Sequence, residues 1–188
     1  MSNNMNILAL SGSRRAASIN TALLRSAARI APPACKVTLF ASLGELPLFN
    51  PDLEASLPAQ VGALRQAVGL ADALLIASPE YAHGVSGTMK NALDWLVSYE
   101  GFVDKPVAVF NSSPRAHLAH DALLETLGTM SARIIREACV VIPLLGSGLD
   151  EEGMIRDPAI AGSIRGAIQN LRAAVSHGML PGPSFPLR

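Results

Sequence analysis

Five short apolar runs, each followed by a segment long enough for a helix, constrain the fold of this chain more than any other feature. The runs are "MNILAL", "KVTLF", "ADALLIAS", "PVAVFNSS" and "CVVIPLL". Between and after them lie "NTALLRSAARIA", "PAQVGALRQAVGL", "GTMKNALDWLVSYE", "AHDALLETLGTMSA" and "DPAIAGSIRGAIQNLRAAVSH", all with helical spacing of apolar residues. The strand-like runs are apolar throughout rather than alternating, as strands covered on both faces must be. Strand alternating with helix therefore predicts an α/β fold: a doubly wound, five-stranded parallel sheet with helices on both faces.

Nothing in the chain marks a linker or an internal repeat, so residues 1–188 read as one domain, long enough to bury ~70% of the unfolded surface. The stretch 41–58, "ASLGELPLFNPDLEASLP", contains Pro47, Pro51 and Pro58 and is long for a connection, which marks a functional loop or a lid. Residues 178–188, with Pro181, Pro183 and Pro186, cannot continue a helix and read as an extended arm.

Fifteen basic and fifteen acidic residues cancel, so no overall field draws the chain to nucleic acid or to an anionic membrane. The apolar runs are far shorter than the ~20 residues of a membrane span, and the start of the chain lacks a signal-peptide pattern. A cytoplasmic protein is expected. Cys35 and Cys139 have no redox or metal-ligand spacing, and His117 with His120 lacks a third ligand; no metal site is expected. Charged residues make up 16% of the chain against roughly 25% in an average domain. Part of the surface is then expected to lie against another subunit, in a homodimer or homotetramer.

In an open parallel sheet, ligands bind beyond the carboxyl ends of the strands where strand order reverses. Three polar stretches fall there: "SGSRRAASIN" (11–20), "SPEYAHGVSG" (78–87) and "NSSPRA" (111–116). The first joins a strand to a helix start, whose free N–H groups and positive dipole end attract an anion. Ser11, Ser13 and Ser18 add hydroxyls, Asn20 an amide beside Ile19, and Arg15 a charge-assisted pair. One glycine there fails the three-glycine dinucleotide pattern, and no P-loop lysine follows, so a mononucleotide phosphate fits better. A plain alternative remains in which Ser18 only caps the helix and the arginines are solvated.

The pattern G-S-x-R-x-x-S-x-N at Gly12 to Asn20, followed by P-E-Y and K-N-A-x-D-W between Pro79 and Trp95, resembles the NAD(P)H-dependent FMN reductases of flavodoxin-like fold. That family includes quinone, chromate and azo-dye reductases, and the resemblance runs from about Met5 to the last helix. It implies an FMN cofactor, NADPH or NADH as hydride donor, and transfer through the flavin N5 to a small acceptor: a quinone, free flavin, azo compound or metal oxyanion. It implies that Ser13, Arg15, Ser18 and Asn20 hold the phosphate, and that Pro79, Glu80, Tyr81, Ala82, His83 and Gly84 meet the isoalloxazine ring. Ser112, Ser113 and Arg115 of the third loop are assigned to the flavin edge. The chain departs from the common family pattern at Ala82, often Asn, at Ser86, often Pro, and in "NSSPRA", where many members carry glycines.

No catalytic side chain is expected, because the hydride chemistry belongs to the cofactor. The helix starting at Gly87 is expected to aim its N–H end at the flavin and stabilise charge on the reduced ring. Glu80 and His83 have an ordinary reading as solvated loop residues, and Arg14 as a solvated charge. Trp95 reads as a packing residue on a side of its helix away from the core, hence an anchor between subunits. Two other classes stand as alternatives: a flavodoxin-type electron carrier, and a flavin-free scaffold or sensor with a degenerate site.

Overall fold

The structure, a computed structural model, describes residues 4–176. The expected arm at 178–188 lies outside them.

Strand β1 (Met5–Ser11) is an inner strand of the sheet, parallel to the edge strand β2 (Cys35–Leu39) on one side and to β3 (Ala73–Ala77) on the other. Strand β6 (Pro106–Asn111) pairs in parallel with β3, and β4 (Glu80–Tyr81) and β5 (Gly84–Val85) form a separate small hairpin. Helices α1 (Ile19–Ile30), α5 (Glu151–Arg156) and α6 (Pro158–Ser176) pack on one face. Helices α2 (Ala59–Leu70), α3 (Gly87–Asp94) and α4 (His117–Thr129) cover the other.

This is the expected doubly wound architecture, with one change at the edge: the sheet has six strands. The last predicted strand, 139–145, shrinks to β8 (Val140–Val141), which pairs with the end of β6, and a short strand that was not predicted, β7 (Arg133–Ile134), pairs with its start. Between them a single turn of 3₁₀ helix, Arg136–Ala138, buries Ala138 against α6. There the Val109 N–H donates to the Cys139 sulfur at 3.3 Å instead of to a strand carbonyl. Sequence pattern registers apolar length, not such a break.

The two-sided core explains the unbroken apolar strands. Ile7, Ala9, Leu75 and Phe110 point to the α1/α6 face, and Leu8, Leu10, Leu74, Ile76, Val107 and Val109 to the α3/α4 face. A side chain of this size contributes about 1.5–3 kcal/mol when fully buried. On α6, Ala161, Ile164, Ala167, Ile168, Leu171 and Ala174 form the buried stripe that its 3.6-residue spacing predicts.

The chain passes from β1 outward to β2, then returns to the opposite side of β1 as β3. The strand order reverses between β1 and β3, and Ser11 lies opposite Ala77 at their carboxyl ends. A crevice opens there.

The 41–58 stretch is not free-standing. Leu43 and Leu46 are buried, and Pro47 presents its carbonyl to Trp95 Nε1 at 2.8 Å and Asn91 Nδ2 at 3.0 Å. Asn91 Oδ1 accepts from Phe49 N at 2.8 Å, and Phe49 meets the Trp95 ring edge-on. Trp95 is consequently fully buried by its own chain, which corrects its reading as an outward subunit anchor. It belongs to the core cluster on the α3 face of the sheet, and this loop adds to its cover.

Candidate functional site

The first and second loops leave β1 and β3 side by side and are locked together at Gly12. A Cβ on Gly12 would lie 2.4 Å from Ser78 Oγ and 2.7 Å from Ser86 Oγ, so only glycine fits. Ser86 Oγ donates to the Gly12 carbonyl at 2.7 Å and accepts from Met89 N at 3.2 Å, capping α3 as it does so. Ser78 Oγ donates to Ser86 Oγ at 3.2 Å. Ser86 therefore joins the two loops through its hydroxyl.

The start of α1 is built for an anion. Ser18 caps it by accepting from Thr21 N at 3.2 Å, and Asn20 is held by Ser112 Oγ, which donates to its Oδ1 at 3.0 Å. That last bond ties the first loop to the third. Within the third loop, Asn111 Oδ1 accepts from Ser113 N at 2.9 Å and Asn111 Nδ2 donates to the Ala116 carbonyl at 3.1 Å.

The three loops enclose an open cavity of about 300 Å³. Of the sequence-predicted residues, it is lined by Ser13, Arg15, Ser18, Ile19, Asn20, Pro79, Glu80, Tyr81, Ser112, Ser113 and Arg115. Ser78, Asn111, Ala116 and Leu145 line it as well and were not assigned from sequence. The first three adjoin quoted motif residues. Leu145 arrives from beyond β8, and no local pattern signals it. Arg14 is exposed and lies over the backbone of Gly44.

Four assigned residues fall outside the lining: Ser11, Ala82, His83 and Gly84. Ser11 is 8% exposed and its hydroxyl is shared with Thr21 Oγ1 at 2.8 Å. The others belong to the hairpin's far end, where Ala82 (φ +49°) and His83 (φ +62°) make the two-residue turn between Tyr81 and Gly84. Both occupy the left-handed region that hairpin turns of this length require, without glycine or asparagine. No residue of α3 lines the cavity, so the lining lends no support to the expected role of its N-terminus at the ring. The helix starts that do reach it are those of α1 and α4, through Ser18, Ile19, Asn20 and Ala116.

Charge in the cavity is one-sided. Arg15 and Arg115 line it without an ion pair among the described residues, while the carboxylate of Glu80 is engaged by the α4 backbone and His83. The Arg15 guanidinium, the hydroxyls of Ser13 and Ser18 and the capped N-terminus of α1 fit a phosphate monoester. Tyr81 and the third-loop residues Ser112, Ser113 and Arg115 line the same open cavity. An FMN group fits these residues.

A doubly wound parallel sheet with a phosphate-suited cavity at its switch point, and without a three-glycine turn, defines a flavodoxin-like mononucleotide-binding protein. Residues 5–144 match the family model described as NADPH-dependent FMN reductase. The chain is 32% identical to an NAD(P)H-dependent FMN reductase of Pseudomonas aeruginosa over 178 residues, 92% of this chain and 96% of that protein. It is 36% identical to a quinone reductase of Escherichia coli over 117 residues, spanning 60% of this chain and 62% of that one. Among solved structures, the flavoenzyme NAD(P)H:(acceptor) oxidoreductase FerB from Paracoccus denitrificans superposes with a TM-score of 0.78 at 24% identity, covering 94% of this chain and all of its own. The chain belongs to the NADPH-dependent FMN reductase family and is a flavin-dependent oxidoreductase.

Proposed function

We propose that this chain, acting as one domain, binds FMN in the cavity at the ends of β1, β3 and β6 and uses NAD(P)H to reduce a small acceptor. The candidates are a quinone, free flavin, an azo compound or a metal oxyanion. The observation that carries the reading is the convergence of Ser13, Arg15, Ser18 and Asn20 at the N-terminus of α1, on the rim of a cavity large enough for a flat ring.

In this reading Arg15 and the hydroxyls of Ser13 and Ser18 bind the phosphate, and Asn20, fixed by Ser112, sets the position of the helix start. Pro79 and Tyr81 form one wall, and Ser113 and Arg115 the other. FMN, when bound, supplies hydride chemistry between nicotinamide and acceptor. The protein's part is orientation and charge, so no side chain is assigned a proton to move. Tyr81 and Leu145, 55% and 57% exposed, give the mouth an apolar rim suited to a planar acceptor. A homodimer or homotetramer in the cytoplasm completes the proposal. Its support is the weakly charged composition together with exposed Leu48 and Val97; no helix among the described residues is long and apolar enough to cross a membrane.

The test is a pair of titrations. Arg15→Ala removes a charge-assisted contact worth ~1.5–3 kcal/mol, so FMN binds roughly 10- to 150-fold more weakly while riboflavin binds as before. Equal losses for both ligands overturn the phosphate assignment. A flavin-loaded protein that fails to oxidise NADPH or NADH with quinone, free flavin, azo dye or metal oxyanion overturns the reductase in favour of an electron carrier.

A further inference from the structure

Glu80 belongs to the loop assigned to the flavin ring, yet both of its carboxylate oxygens are already engaged. Oε2 accepts from Ala119 N of α4 at 2.9 Å, and Oε1 lies 3.3 Å from His83 Nδ1. The side chain is 14% exposed, whereas His83 is 77% exposed, so the bond to α4 is the inner one.

Helix α4 needs that bond. Its N-cap position is Ala116, which makes no side-chain cap, and its first turn contains no acidic residue. The polar side chains just before it are turned elsewhere: Ser113 Oγ accepts from Arg115 N at 3.3 Å, and Asn111 holds Ser113 N and the Ala116 carbonyl. A carboxylate at a helix N-terminus satisfies an orphan N–H and faces the positive end of the dipole. Here it comes from a residue 39 positions earlier in the chain.

We propose that Glu80 is a positioning residue: a strut that caps α4 from across the cavity and so fixes the spacing between the flavin loop (Pro79, Tyr81) and the third loop (Ser113, Arg115). The strut rests on the flavin reading of this cavity only for its consequence in binding. Its structural half, protection of the first turn of α4, is independent of any ligand. Both cavity walls are needed for a ring held between them, and neither is needed for the phosphate. Losing the strut therefore weakens FMN and riboflavin by the same factor, unlike loss of Arg15.

The experiment compares Glu80→Gln, Glu80→Asp and Glu80→Ala in the full chain. Amide exchange is followed at residues 117–120 in the flavin-free protein, and FMN and riboflavin affinities by quenching of flavin fluorescence. Gln keeps an oxygen able to accept from Ala119 N, so Glu80→Gln stays within about 3-fold of wild type in exchange and affinity. Asp is a methylene too short, and Ala has no acceptor. Both exchange about 5- to 30-fold faster at the start of α4 and bind the two flavins more weakly by a similar, common factor. Should Glu80→Ala fail to fold, the Gln-against-Asp comparison decides alone. Unchanged exchange in Glu80→Asp and Glu80→Ala overturns the strut, and so does Glu80→Gln binding flavin as poorly as Glu80→Ala. If wild type binds neither flavin, the proposed function fails while the exchange comparison still judges the strut.

Discussion

At the scale of single residues, the least comfortable position in the site region is the hairpin tip. Ala82 and His83 hold φ of +49° and +62°, a region costing a non-glycine residue on the order of 1–3 kcal/mol. Asparagine tolerates it better because its short amide bonds locally to the backbone. Ala82→Asn is expected to raise unfolding stability by about 0.5–1 kcal/mol, read as a higher denaturant midpoint with unchanged slope. A lower midpoint contradicts the turn geometry. This tip also shows where sequence reading stopped. The residues of "SGSRRAASIN" were legible because helix-start chemistry is local: Ser18 caps the helix that follows it, and Arg15 is displayed beside it. The second loop carries Gly84 and Gly87. Neither has a positive φ or a crowded Cβ position; the crowded glycine is Gly12, pressed by serines 66 and 74 positions further along.

Elements show the same division between near and distant causes. Most helices lay where their periodicity put them, but α3 ends at Asp94 rather than continuing to Glu100, and the short α5 was not foreseen. The 41–58 stretch, read as a loop or lid, is bolted to α3 through Asn91 and Trp95, a set of contacts that spans 44 and 48 positions. Asn91→Ala removes two of the bolts at once and leaves Phe49 N and the Pro47 carbonyl short of a partner each. It is expected to cost about 1–3 kcal/mol and to speed proteolytic cutting near residues 48–58. Cutting at the wild-type rate shows the stretch to be held without Asn91, by the Trp95–Pro47 and Arg65–Glu54 contacts and its buried leucines. Helix α4 offers a pH test. Burial holds the His120 imidazole below its ordinary value of 6.5, against an opposing pull from Asp121. The unfolded chain then takes up the proton first as pH falls. Stability is complete above about pH 6.5 and declines as pH drops toward the lower folded value. His120→Gln should flatten the fall in unfolding midpoint between about pH 7.5 and 5; an equally steep fall assigns it to other groups.

For the whole molecule, balanced charge and a low charged fraction leave little electrostatic repulsion between copies, and the exposed apolar residues decide what happens next. Leu48 is 84% exposed and Val97 63% exposed. Both adjoin Trp95 in the chain or through its bonds: Leu48 follows the Pro47 whose carbonyl binds the indole, and Val97 sits two residues beyond it. The low charged fraction raises the expectation of a covered surface, but Trp95 is not its anchor: it lies in the core of its own chain, under a loop no local pattern announces. That correction changes how assembly must be tested. Light scattering should report a dimer or larger for wild type, and Leu48→Glu with Val97→Glu should shift it toward monomer by placing like charges in an apolar contact. Tryptophan emission should remain blue-shifted in both, because Trp95 is fully buried by its own chain and is the one tryptophan present. A variant that remains assembled moves the interface to another face, and emission that shifts red on dissociation means the 41–58 stretch is held over Trp95 by the partner rather than by Asn91.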